Sequence, residues 1–181
     1  MNVKGLFANL MLVGGLWPLQ AQATQRGLDQ LAGTSPQVEM GIQGFLVLPQ
    51  GDLRRAVDGT DGLQLGVHGA LGMAETGEWR PRIDYTRLDG GSSATTMQGV
   101  SLGLDYLDYF GAGRRGVYGF AGAKLTWWHG QTTRGTYPGL RLGAGNRFGQ
   151  AFSLEANLDL GRFRDSSGTE ASVSLGAFYK F

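Results

Sequence analysis

The last twelve residues, Glu170-Ala171-Ser172-Val173-Ser174-Leu175-Gly176-Ala177-Phe178-Tyr179-Lys180-Phe181, alternate without a break. Ala171, Val173, Leu175, Ala177, Tyr179 and Phe181 form one apolar set, and Glu170, Ser172, Ser174, Gly176, Phe178 and Lys180 form the other. A period of two defines a strand with two chemically different faces. The preceding segment repeats the pattern, with Phe152, Leu154, Ala156, Leu158 and Leu160 set against Ser153, Glu155, Asn157, Asp159 and Gly161. Before it, Leu140, Leu142, Ala144 and Phe148 oppose Gly139, Arg141, Gly143, Gly145 and Arg147. A tight turn at Gly149-Gln150 joins these two. A register centred there places Phe148 opposite Phe152, Leu142 opposite Leu158 and Arg141 opposite Asp159, so one pairing satisfies both faces.

Five further segments read the same way toward the N-terminus. They carry Val117 to Trp128, Val100 to Tyr106, Trp79 to Thr86, Leu63 to Met73 and Val38 to Leu48. The first is the least regular, because Phe45 and Val47 fall on its otherwise polar face. Pro81 removes a ladder hydrogen bond and predicts an irregularity where the third strand starts. Eight strands result, each near the ~9 to 11 residues that cross a bilayer when tilted. The joining segments at 49–61, 89–96, 130–136 and 163–169 are long, and those at 74–78, 111–115 and 149–150 are short. Long loops on one rim and tight turns on the other, with both termini on the short-turn side, describe an up-and-down antiparallel transmembrane barrel.

Composition bounds the remaining choices. The chain holds 32 glycines in 181 residues and no cysteine. Dispersed among β-formers, the glycines fit neither a collagen period nor a flexible linker. Without cysteine there is neither a disulfide framework nor a thiolate metal site, and two histidines alone make a poor transition-metal set. Residues 1–23 read as a signal peptide: Lys4 in a basic start, an apolar run from Leu6 to Trp17, and Ala21-Gln22-Ala23 as the cleavage motif. Gly14, Gly15 and Pro18 break that run short of the ~20 residues of a spanning helix. Cleavage after Ala23 leaves 15 basic and 15 acidic residues, a balance that points away from nucleic acid. Residues 24–37 are expected as a short periplasmic arm, extended or with a helical turn at Leu28 and Leu31, and residues 38–181 as the barrel.

Alternation alone does not say which face is outside, since a soluble ligand-binding barrel alternates too, with its apolar residues inward. Three features favour lipid outside. The polar face is rich in Gly, Ser and Ala, where a water-facing wall would carry more Lys and Glu. Trp79, Tyr106, Phe110, Trp127, Phe148, Phe152, Tyr179 and Phe181 fall near strand ends and predict two interfacial girdles. Finally, the sequence ends on the aromatic Phe181 after an apolar alternation. Ser174 to Phe181 resembles the C-terminal strand of outer-membrane barrels, whose terminal aromatic residues serve recognition by the barrel-assembly machinery; Tyr179 and Phe181 stand in those positions. The layout is similar to the small OmpA-like, OmpX-like and opacity-type outer-membrane barrels, and Arg80 to Arg87 also looks like a strand of that group. This resemblance implies a monomeric fold and a location in the bacterial outer membrane among lipids and lipopolysaccharide, and it implies no reaction or cofactor.

With lipid outside, the lumen is expected to hold Glu39, His68, Arg80, Arg82, Asp84, Asp105, Lys124, Arg141, Arg147, Glu155 and Asp159. An eight-stranded interior is just wide enough for side chains, so these charges should pair with one another and close the lumen. The other reading is a narrow ion or water path. His68 sits mid-strand with no nucleophile in its own segment and reads as a packing and hydrogen-bonding group. His129 lies at the outer end of strand five near Thr132 and Thr133. Lipid A deacylases and palmitoyltransferases are also eight-stranded barrels with His and Ser near the outer leaflet. The deacylase pattern sets Ser two residues after its His, where this chain has Gln131. Gly90-Gly91 and Gly111-Ala112-Gly113 read as turns, not phosphate cradles. The first long loop carries Asp52, Arg54, Arg55, Asp58 and Asp61, and the third carries Thr132, Thr133, Arg134 and Thr136. Loops on a rigid scaffold are where recognition resides, so a structural or adhesin-like role is expected, with a lipid A-modifying enzyme or a pore as alternatives.

Overall fold

A computed structural model describes residues 38–72, 76–90, 96–111, 113–130, 134–163 and 168–181. The expected signal peptide, the arm at 24–37, and Met73, Gly91, Ala112, Gln131, Thr132 and Thr133 lie outside the described residues. Eight antiparallel strands close into a barrel in sequence order, with β8 pairing back to β1. They are β1 (Val38–Gln50), β2 (Gly62–Gly72), β3 (Gly77–Leu88), β4 (Met97–Tyr109), β5 (Gly116–Gly130), β6 (Arg134–Phe148), β7 (Phe152–Phe163) and β8 (Gly168–Lys180), with one short helix, α1 (Gly51–Ala56), after β1.

Register fixes the geometry of the closed sheet. From Val38 the pairing runs through Leu71, Trp79, Tyr106, Ala121, Leu142, Leu158 and Val173 and returns to β1 at Leu48, ten residues along. A stagger of that size over eight strands tilts them by about 40° and leaves an interior that side chains fill. The hairpin register read from sequence holds, with Phe148↔Phe152, Leu142↔Leu158 and Arg141↔Asp159.

Burial decides which face is outside. Leu65 is 63% exposed and Ile83 51%, while Arg80 and Arg141 are 2% and 1% exposed. Large aliphatic side chains face outward on all eight strands, and the charged side chains at mid-height face inward, the reverse of a water-soluble barrel. Among the described residues no helix is long and apolar enough to cross a membrane; strands supply the apolar surface.

Five expectations need correction. The loop after β1 contains α1, which Gly51 starts by turning the chain at φ +56. β3 begins at Gly77, which moves Glu78 from a turn into the wall, and β6 begins at Arg134, which moves Arg134 and Thr136 from the third loop into a strand paired with His129 and Trp127. Trp127, Trp128, Thr136 and Tyr137 are β-formers, and their pairing extends the ladder upward. The irregularity at Pro81 lies inside β3: pairing with β2 is interrupted between His68↔Arg82 and Leu71↔Trp79 and resumes in the same register. Lastly, the exposed aromatics crowd the short-turn rim. Trp79 packs on Tyr106 at 5.1 Å and Phe148 on Phe152 at 6.1 Å, whereas the long-loop end presents chiefly Tyr85 and Trp127.

Candidate functional site: the barrel lumen

Glycine makes the lumen possible. A Cβ on Gly143 would lie 2.5 Å from the Phe120 ring, one on Gly145 2.5 Å from that of Tyr118, and one on Gly99 2.7 Å from Trp128. In each case the large residue is the register partner of the glycine on the next strand. Gly41 with His68, Gly122 with Asp105 and Gly176 with Phe45 repeat the arrangement. An inward side chain thus lies flat across the neighbouring strand, and any larger residue beneath would push it off its rotamer.

At mid-height Arg80 is the hub. Its guanidinium forms a two-point ion pair with Glu155, with Nη2 donating to Oε2 at 3.1 Å, and it reaches Asp105 at 3.3 Å. Tyr118 donates its hydroxyl to Glu155 at 2.6 Å, and the guanidinium carbon stands 4.1 Å from the Phe178 ring centre. Arg82 lies 3.0 Å from Asp84 and 3.2 Å from Asp105, charge pairs that lack hydrogen-bond angles. Gln43 donates to the other oxygen of Asp84. Toward the long loops, Arg141 grips Asp159 through Nε at 2.7 Å and Nη2 at 3.0 Å, with Lys124 3.8 Å from the same carboxylate. Bidentate guanidinium pairs of this kind are the strong form of the interaction.

Near the short turns, Arg147 Nη2 donates to both oxygens of Glu78 at 3.1 Å, and Lys180 bridges Glu78 at 3.0 Å and Glu39 at 2.9 Å. Every residue expected in the lumen faces inward, but Glu39 stands at the rim with its side chain 44% exposed. The ensemble is six cations, Arg80, Arg82, Lys124, Arg141, Arg147 and Lys180, facing six carboxylates, Glu39, Glu78, Asp84, Asp105, Glu155 and Asp159. Two of these, Glu78 and Lys180, were missed as network members. One more step of the alternation through Arg80 reaches Glu78, and Lys180 shares the inward parity of Phe178.

An apolar cap covers the network on the long-loop side. Leu53 of α1 and Val57 just after it are 1% and 0% exposed and pack with Leu88, Met97 and Trp128. Beneath α1 a cavity of about 10 Å³ remains between Leu53, Lys124, Arg141 and Asp159, room for about one water. At the opposite end Leu107, Tyr109, Tyr118 and Phe120 form a second buried cluster. His68 packs edge-on against Phe178 at 5.1 Å with neither ring nitrogen hydrogen-bonded among the described residues, so it stands in the wall as a packing residue and the expected hydrogen-bonding role is not met. His129 faces outward between its register partners Gln98 and Arg134. Among the described residues no group of three His, Asp or Glu is placed to hold a metal ion.

No protein-family model matches the chain, and no curated protein matches it. Solved structures do. The N-terminal β-barrel domain of Pseudomonas aeruginosa OprF superposes with a TM-score of 0.53 at 17% identity, covering 81% of this chain and all of that one. This is the fold of the small transmembrane barrels. Neisserial surface protein A gives 0.52 at 14% identity over 82% of this chain and 100% of its own. A designed transmembrane β-barrel gives 0.53 at 11%, covering 82% and 98%. Identities this low carry the fold and leave the activity to the residues.

Proposed function

We propose that the protein is a non-conducting barrel of the bacterial outer membrane, with its lumen closed by ion pairs and its role, structural and recognitional, exercised from the long-loop rim. One observation carries this reading: the apolar cap of Leu53 and Val57 sits directly over a lumen whose six cations and six carboxylates face one another. A conducting path needs a continuous thread of mobile water, and the long-loop mouth here narrows onto a buried apolar cluster. The cap also leaves Arg54, Arg55, Asp58 and Asp61 exposed on a folded platform, where a partner can meet them. The likeness to a barrel named a neisserial surface protein agrees with a surface role. Lipopolysaccharide and phospholipid are then its solvent, a monomer its working form, and Tyr179 and Phe181 the residues met by the barrel-assembly machinery.

Planar-bilayer recording tests the closed lumen, with only brief, small openings expected; a large steady conductance overturns it. Replacing the four long loops by short turns tests recognition. Cell adhesion should fall while heat-modifiable migration and outer-membrane fractionation persist, and unchanged adhesion counts against a surface role.

A further inference from the structure

The short-turn mouth of the barrel contains a cavity of about 240 Å³ bounded by Glu39, Arg114, Arg115, Arg147, Gly149 and Gln150. Its charges do not cancel. Arg147 is held by Glu78, and Glu39 by Lys180, which also reaches Glu78, so these four neutralise one another. Arg114 and Arg115 remain, and among the described residues neither has an ion pair. Arg114 is also held in place. It adopts φ +52 in the β4–β5 turn, and its carbonyl accepts a hydrogen bond from Arg147 Nη1 at 3.2 Å. Its guanidinium lies over Gly72, in the space a Cβ there would occupy.

The depth of the cavity indicates what reaches it. Phe110 leads into the turn bearing Arg114 and Arg115, and Phe148 into the turn bearing Gly149 and Gln150; both rings are exposed on the outer wall. Outward aromatic rings of this kind settle at the headgroup level of a bilayer, so the mouth opens at the depth of lipid phosphates. Two unmatched guanidinium forks suit a phosphate, which accepts bidentate pairs and carries the compensating charge. The volume exceeds a bare phosphate and falls below a drug-sized pocket, which suits a phosphate bearing a short polyol.

We infer that this cavity is a binding site for a phosphate ester of glycerophosphate size, presented either by a phospholipid headgroup of the adjoining leaflet or by a soluble organophosphate. Arg114 and Arg115 supply the charge, and Gly72 positions Arg114.

The test uses the full chain, folded in phosphatidylcholine nanodiscs at physiological salt. One arm titrates glycerol 3-phosphate calorimetrically; the other measures phosphatidylglycerol enrichment from mixed nanodiscs by native mass spectrometry. Saturable binding is expected in at least one arm, weakened at least tenfold by Arg114→Gln with Arg115→Gln and unaffected by Arg87→Gln on the opposite rim. Gly72→Ala should weaken it as well, with no change in charge. Binding in the first arm alone identifies a soluble source, and in the second alone a lipid. The inference is overturned if neither arm saturates, if the double variant binds like the parent, or if acetate competes as well as phosphate. Heat-modifiable migration of the double variant, whose residues are outside the barrel ladder, separates lost binding from lost folding.

Discussion

Arg80 shows what a single residue must satisfy in this interior. Its charge is buried and is matched by Glu155 and Asp105, with aromatic faces from Phe178 and Phe120 supplying the remaining contact. Removing one member of such a set leaves opposite charge buried without compensation, so Arg80→Met should destabilise the barrel by about 3–5 kcal/mol. Urea unfolding followed by gel mobility reads this as a lower midpoint. Arg87→Met, which breaks the exposed pair with Asp89, should cost no more than about 1 kcal/mol in the same assay. Glycines are constrained for the opposite reason. Gly99→Ala should cost about 1–3 kcal/mol by displacing the Trp128 ring, and Trp128→Leu in the same chain should recover part of the loss.

At the scale of elements, α1 is the part least able to stand alone. Six residues are too few to hold a helix in water, even with the Arg55–Asp52 pair across one turn. Its stability comes from Leu53, and from Val57 just beyond it, seated in the barrel mouth. Leu53→Asp should therefore release residues 51–61 without opening the sheet: faster amide exchange and proteolysis confined to that segment, with the heat-modifiable band retained. The Gln150-centred hairpin is the contrasting case, because its register is dictated locally by matching alternation on both arms. Glu78, Arg134 and Thr136 were misplaced in connections because a strand end is defined by its partner. Their own residues do not announce whether the ladder continues.

For the whole molecule, the governing fact is that the large apolar side chains point away from the centre. Closure with a stagger of ten leaves no free edge, and the outer face of all eight strands becomes one apolar surface that only lipid covers. A charge placed at mid-depth on that surface meets hydrocarbon. Leu102→Arg, in the row Ile83–Leu102–Leu125, should thus lower the stability of the protein folded in vesicles by about 2–4 kcal/mol. An equal stability of parent and variant would indicate that this face is wet.

The sequence by itself determined the strand count, the alternation, the hairpin register and most of the inward set, short of Glu78 and Lys180, because a period of two is a local property and each strand carries its own two faces. The abundance of glycine was visible too, but its meaning was not: Gly99 and Gly145 are needed for side chains on neighbouring strands, Trp128 and Tyr118, and register alone brings them together. Only the tertiary structure decided which charges meet. Arg80 and Glu155 are 75 residues apart in the chain and Lys180 and Glu39 141 apart, and their contact follows from closure and stagger, which are properties of eight strands together. The same holds for the cap of Leu53 and Val57 and for the Arg114–Arg115 cavity, where segments with no common period are gathered at opposite mouths of the barrel.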